Sequence, residues 1–246
     1  MLKNYVPKHV VAMVIYIPLV AFYIYSIMFR RGLRLLGKTD PAFQVTEEVR
    51  ALAKFGPFFF TSWNFGLQIV FMSVAILDAL AMLLNLPVTM QKFLGRTRSG
   101  MFNGLVVPAT LLVSSIFWFL YNYERKLIYP DSVEKVLPSW LNHTLHTLIV
   151  LPVLIEFLLP KQYNFVKFSH AFKLLTTYLI VYEIGFYYIY FTENIFLYPI
   201  FTRLNWTMRF VFSMLVYGLG CFYTALGILI QGWKKSSDNK RRKKLP

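Results

Sequence analysis

Apolar residues along this chain gather into six long runs separated by polar stretches. The runs cover about residues 9–28, 57–86, 101–121, 138–159, 174–191 and 210–233, each near the ~20 residues an α-helix needs to cross hydrocarbon. The pattern predicts an all-α protein: a polytopic membrane bundle of six transmembrane helices, one domain over 1–246, closed by a basic tail at 234–246. Pro18, Pro108 and Pro152 lie inside runs and predict kinks, which a bundle tolerates because neighbouring helices satisfy the freed carbonyls. Pro57 suits a first helical turn, and Pro160 is expected to end the fourth span. Arg30, Arg31 and Arg34 are expected to stop the first helix, and a loop carrying Lys92, Arg96 and Arg98 to join the second and third. Tyr129-Pro130-Asp131 reads as a turn. Gly218 and Gly220 predict close contact of the last helix with a neighbour. The first run is too long for a cleavable signal peptide and lacks a small-residue cleavage site, so it is expected to stay as a span.

Composition agrees with the pattern. The mean hydropathy is +0.52, and charged residues make up 15% against roughly 25% in soluble domains. The net charge of +15 would suggest a nucleic-acid partner if it formed a folded patch. Instead it flanks the apolar runs and collects in the closing stretch KKSSDNKRRKKLP, as juxtamembrane charge facing anionic headgroups does. The partners expected are therefore the membrane and a lipid, not nucleic acid. The single cysteine, Cys221, allows no disulfide within the chain.

What changes the picture most is the polar residues inside the spans, because such groups cost free energy in hydrocarbon and mark interior sites. The fourth run carries Asn142, His143, Thr144, His146, Thr147 and Glu156, and so holds two of the chain's four histidines. Asn142 and His146 share a face at i and i+4, whereas His143 lies about 300° round from His146 on a regular helix. In the second run Thr61, Asn64 and Gln68 form one stripe, with Asp78 further along. The fifth run adds Tyr178, Tyr182 and Glu183.

Three chemistries suit these residues. A zinc site needs three or four ligands, yet there is no HExxH, no second His cluster and no Cys pair, so no metal and no cofactor is expected. Asp78, Glu156 and Glu183 with the histidines can be read as a proton relay. A Thr61 hydroxyl activated by His146 can be read as a nucleophile and its base, provided the two helices enter from the same side and bring both to one depth. On spacing alone, a threonine bonding back to its own helix is the simpler account of Thr61.

A resemblance adds to this reading. Trp140-Leu-Asn-His-Thr-Leu-His-Thr147 is similar to the WLNHxxHT signature of the androgen-induced protein family. Thr61, Asn64 and Gln68 resemble that family's T-x-x-[ND]-x-x-x-Q stretch. Ile76-Leu77-Asp78, Tyr123-Glu-Arg-Lys-Leu-Ile-Tyr-Pro130, Ile155-Glu156 and Tyr198-Pro199 follow in the family's order. The resemblance covers nearly the whole chain. It implies a multispan hydrolase of fatty acid esters of hydroxy fatty acids, with the nucleophilic threonine at Thr61 and the catalytic histidine at His146. It also implies a lipid ester substrate with a free carboxylate, which Arg125 in the basic loops is a candidate to hold. Asn64, Gln68 and Asn142 are the candidate oxyanion donors, and His143 a candidate orienting group. FFFTSWNFG stands where other members read more like LTFLNL, a departure that bears on substrate preference. The competing readings are a non-enzymatic lipid-binding regulator and a proton-coupled carrier.

Six spans put both termini on one side, and that side holds a modest excess of Lys and Arg over the other, as expected of a cytosolic face. The chain closes on Lys243-Lys244-Leu245-Pro246, which resembles a dilysine retrieval signal read in the cytosol. The expected location is the endoplasmic reticulum membrane with cytosolic termini. Asn205-Trp206-Thr207 is a glycosylation sequon at the membrane edge.

Overall fold

Six apolar helical segments, Val10–Leu33, Glu47–Leu83, Val88–Leu127, Ser139–Leu158, Phe168–Glu193 and Trp206–Trp233, are long and apolar enough to cross a membrane. The computed structural model describes residues 8–39, 46–159 and 166–242, and among these there is no strand. The protein is a polytopic helical bundle.

Helix α1 (Lys8–Thr39) runs unbroken through Pro18 and also through Arg30, Arg31 and Arg34. Those arginines end the apolar span but not the helix. Helix α2 (Glu47–Phe55) opens on Thr46, whose side chain accepts the Val49 N–H, and lies in the polar connection that shows no apolar run. The turn Gly56–Phe58 carries Pro57, so the membrane helix itself, α3 (Phe60–Leu83), starts three residues later than the apolar run suggests.

The connection after α3 is much shorter than its charges imply. Helix α4 (Val88–Met101) carries Lys92, Arg96 and Arg98 and passes through a π-type turn, Phe102–Val106, into α5 (Val107–Glu124). Arg98 is therefore not in a loop. It is 5% exposed inside the bundle, where its Nε and Nη2 donate to Glu156 at 3.1 and 2.7 Å and its Nη1 to Asp78 at 3.1 Å. The Tyr16 hydroxyl also donates to Glu156, at 2.6 Å. The sequence pattern misplaces Arg98 because the carboxylates that neutralise it come from other spans. Asp78 and Glu156 are joined through it, while Glu183 stands apart on the wall of a largely apolar cavity.

The rest of the bundle follows from similar local causes. Pro130 precedes the short helix α6 (Asp131–Val136), and Pro138 precedes α7 (Ser139–His143). A second π-type turn, Thr144–Leu148, leads to α8 (Val150–Leu158). Each π-type turn lies just ahead of a proline, Pro108 or Pro152, that cannot donate a backbone hydrogen bond to the turn before it. Pro160 lies outside the described residues. Helix α9 (Phe168–Glu193) ends on Asn194 in the left-handed region, φ 55°. The short α10 (Ile200–Arg203) precedes α11 (Trp206–Arg242). Asn205 caps α11, its Oδ1 accepting the Met208 N–H at 2.8 Å, so the sequon asparagine has a structural task. Most of the basic tail extends this helix, and Lys243–Pro246 lie outside the described residues.

The core packs α1 against α3 and α3 against α4, with Tyr23 stacked on Phe65 at 4.1 Å. Gly104 in the first π-type turn sits against α9: a methyl there would meet Leu174 Cδ1 at 2.9 Å and the Ala171 Cα at 3.2 Å. Gly220, of the two glycines in the last span, makes the expected close approach, to Leu112 and Leu175, while Gly218 faces open space. Gln68 cross-ties the interior. It accepts from Tyr23 at 3.0 Å and donates to Thr110 at 2.7 Å and to the Ile149 carbonyl at 2.8 Å, which satisfies its amide where no water is at hand.

Candidate active site

Thr61 is the second residue of α3, and its position is set from both sides. The Gly56–Phe58 turn and extended Phe59 break the chain before the helix. The Tyr198 hydroxyl, from the connection before α10, accepts the Phe60 N–H at 2.9 Å. Neighbouring Ser62 is fully engaged: it donates to the Gly56 carbonyl at 2.6 Å and accepts from Arg30 at 2.5 Å. Thr61 Oγ1 instead faces His146 Nε2 at 3.4 Å.

His146 sits in the second π-type turn, 8% exposed. Its Nδ1 lies 3.0 Å from the Asn142 carbonyl and 2.8 Å from Asn142 Oδ1. Both are acceptors, so the ring proton belongs on Nδ1 and the Nε2 lone pair is turned to Thr61. The Phe117 ring covers the imidazole face, with centroids 3.5 Å apart and planes within 7°. A hydroxyl, a histidine lone pair and an acceptor fixing the histidine tautomer are the parts that a nucleophile, its base and an orienting group require. The 3.4 Å separation is loose for a hydrogen bond, as such pairs often are without substrate.

The pair opens onto a cavity of about 710 Å³ whose walls are mostly apolar. Leu112, Ile116 and Phe117 of α5 line it together with Leu179 and Phe186 of α9. Its wall also includes Ile184, Phe210 and Met214, which are exposed on the outer surface. The cavity therefore opens sideways between α9 and α11, toward hydrocarbon. Near the pair the wall turns polar, with Arg30, Ser62, Tyr182 and Tyr198.

The remaining residues singled out in the sequence lie elsewhere. Asn64, Gln68 and Asn142 are buried off the cavity wall. Gln68 spends both amide hydrogens on Thr110 and Ile149, and Asn64 Oδ1 accepts from Thr110 at 3.1 Å, leaving Asn64 Nδ2 unpartnered. His143 is exposed, with its Nδ1 3.3 Å from Thr147 Oγ1 and its ring against Trp118. Arg125 is held by Asp131 and Glu134 and is not on the cavity wall. Among the described residues, Arg30 is the arginine on the cavity wall, and the sequence pattern reads it only as a stop signal. Burial of the nearby Tyr129 pushes its phenol up to about 12, and the hydroxyl donates to the Leu137 carbonyl at 3.1 Å. Among the described residues, no three of His, Cys, Asp and Glu gather into a ligand set for a metal ion.

No solved structure matches the chain. The androgen-dependent TFPI-regulating protein of Mesocricetus auratus is 34% identical over 178 residues, 72% of this chain and 75% of the relative. The human protein of that name is 31% identical over 62% of this chain and 66% of its own length. The human androgen-induced gene 1 protein is 25% identical over 75% of this chain and 82% of its own length. Residues 43–232, which include Thr61, His146 and every wall of the cavity except Arg30, match the family described as FAR-17a/AIG1-like protein. This chain belongs to the FAR-17a/AIG1-like family.

Proposed function

We propose that this protein is a membrane-embedded hydrolase of lipid esters, with fatty acid esters of hydroxy fatty acids as substrates, Thr61 as nucleophile and His146 as base. One observation carries the reading. Thr61 Oγ1 and the His146 Nε2 lone pair face each other at 3.4 Å, with His146 Nδ1 held by Asn142, at the polar end of an apolar cavity. The substrate class rests on the motif resemblance around Thr61 and His146. The cavity supports it physically, because two acyl chains find apolar walls and a way in from the bilayer.

In this reading Thr61 Oγ attacks the ester carbonyl carbon as its proton passes to His146 Nε2. The carbonyl π electrons move to oxygen, giving a tetrahedral oxyanion. The bond to the alcohol oxygen then breaks, His146 returns the proton to that oxygen, and an acyl-threonine remains. Water, deprotonated by His146, attacks the acyl carbon, the bond from that carbon to Thr61 Oγ breaks, His146 returns the proton to Oγ, and the fatty acid leaves. Proton transfer by a positioned base contributes roughly 10²–10⁴-fold. Asn142 keeps Nδ1 protonated, and Phe117 holds the ring plane. In the same reading the protein resides in the endoplasmic reticulum membrane with cytosolic termini, which sets the Thr61 end of the bundle toward the lumen.

The test is to label purified protein with a fluorophosphonate, map the modified residue, and measure ester turnover in parallel. Label at Thr61, and loss of both label and turnover in Thr61→Ala, are the expected results. Turnover that persists in Thr61→Ala would falsify the threonine mechanism. Lipid binding without turnover in the wild type would mark the protein as a lipid-binding regulator instead.

A further inference from the structure

An ester attacked by Thr61 builds negative charge on its carbonyl oxygen, and a donor aimed at that oxygen is usually a large part of catalysis. None of the three amides in the two polar stripes is on the cavity wall. Tyr198 is on it, as Thr61 and His146 are, and its hydroxyl meets the backbone of Phe60, the residue before Thr61. A phenol has one hydrogen to donate and two lone pairs to accept with. The Tyr198 oxygen accepts the Phe60 N–H at 2.9 Å and the Tyr182 O–H at 3.3 Å. Both lone pairs are used. The hydrogen is left over, one residue from the nucleophile, with no acceptor among the described residues.

We propose that Tyr198 is a further catalytic residue, whose hydroxyl hydrogen binds the oxyanion formed when Thr61 attacks the ester. This deepens the hydrolase reading and rests on it. Two hydrogen bonds received at the Tyr198 oxygen polarise its O–H and strengthen it as a donor. Burial raises the Tyr198 phenol above its ordinary range, so the hydroxyl stays protonated at working pH. A second donor stands beside it. The Thr61 N–H is in the first turn of α3, where backbone N–H groups lack intrahelical acceptors. Phe59 offers no side-chain cap, and the helix N-terminus favours negative charge. As the carbonyl C=O becomes C–O⁻, it accepts from Tyr198 O–H and Thr61 N–H. On collapse the C=O re-forms and the hydroxyl keeps its proton, so Tyr198 is unchanged over the cycle.

The alternative is that Tyr198 only closes the end of α3 by accepting the Phe60 N–H. The two are separated by comparing wild type, Tyr198→Phe and Thr61→Ala. Turnover is measured together with affinity for a trifluoromethyl ketone, which forms a tetrahedral adduct, and for a non-hydrolysable ether analogue of the ester. Tyr198→Phe should lower kcat by about 10²–10³-fold, weaken ketone binding by a similar factor, and leave ether binding and KM nearly unchanged. Equal weakening of ketone and ether, or wild-type kcat in Tyr198→Phe with an inactive Thr61→Ala, overturns the donor while the Thr61 reading stands. An active Thr61→Ala overturns both. Placing 3-fluorotyrosine at 198 keeps the packing and both accepted hydrogen bonds but makes the donor more acidic. The expected result is a higher kcat with unchanged ether affinity, and an unchanged kcat overturns the proposal even if Tyr198→Phe does not fold.

Discussion

His146 has two ring nitrogens, and the base role proposed for it depends on which one carries the proton. Asn142 offers two oxygens to Nδ1. Removing one of them in Asn142→Ala leaves the backbone carbonyl, so the tautomer survives and the orientation loosens. We expect that variant to lose about tenfold in kcat, the cost of roughly 1.4 kcal/mol of misplacement, far less than loss of the base. Thr61→Ala and His146→Ala should each abolish hydrolysis while the protein still accumulates in membranes. The double variant should be no worse than either single one, since residues acting as a unit are non-additive, and turnover assays on the three variants check this. His143 lies outside the cavity against Trp118, so His143→Ala should keep most activity. Equal, complete loss in His143→Ala and His146→Ala would indicate a paired role such as metal binding, which metal analysis of the purified protein would detect.

At the scale of elements, two π-type turns and one buried ion cluster organise the bundle. Such turns recur at functional sites, and here one places His146 while the other lets α9 pack against Gly104. Gly104→Ala would push against an α9 backbone atom, so we expect a loss of about 1–3 kcal/mol, as for overpacked cores. Arg98 links α3, α4 and α8 through Asp78 and Glu156. Removing the guanidinium leaves two buried carboxylates facing each other. Arg98→Leu should therefore cost roughly 3–5 kcal/mol, read as a lower unfolding temperature in detergent and poor membrane accumulation. Arg98→Lys should rescue little, because an ammonium cannot reproduce the two-pronged contact with Glu156. A carrier reading would instead have Arg98→Lys keep the fold and lose proton-coupled transport.

Across the whole molecule, the connections before α3, before α7 and before α11 meet at one end of the bundle, and the candidate site lies beneath them. The first described residue of α1, Lys8, and the last of α11, Arg242, are at the other end. The proposed orientation puts that second end in the cytosol, where a dilysine signal is read. Replacing Lys243 and Lys244 with serine should then release the protein from the endoplasmic reticulum to later compartments, checked by fluorescence microscopy of the tagged full chain. A tail that only binds anionic headgroups would lose just part of its attraction, at about 1 kcal/mol per basic residue, and the location would hold. An epitope on the C-terminus should be reached by antibody after selective permeabilisation of the plasma membrane. Protection of that epitope would reverse the orientation and set the Thr61 end toward the cytosol.

Hydropathy alone gives the class of this protein and its six candidate spans, because hydrocarbon admits only helices or closed barrels and each apolar run is long enough for a helix. The stripe Thr61, Asn64, Gln68 and the pair Asn142, His146 are also legible, since helical period is a local property. Three features are not. Arg98 reads as a loop charge until Asp78 and Glu156 arrive from other spans to neutralise it. The tautomer of His146 follows from a π-type turn whose proline is visible but whose winding depends on neighbouring helices. Arg30 reaches Ser62 from 32 positions before it and Tyr198 reaches Phe60 from 138 after it, distances over which no periodicity carries information. The tertiary structure decides these because each is a contact between segments, and a side chain's charge state, partner and exposure belong to the contact and not to the residue.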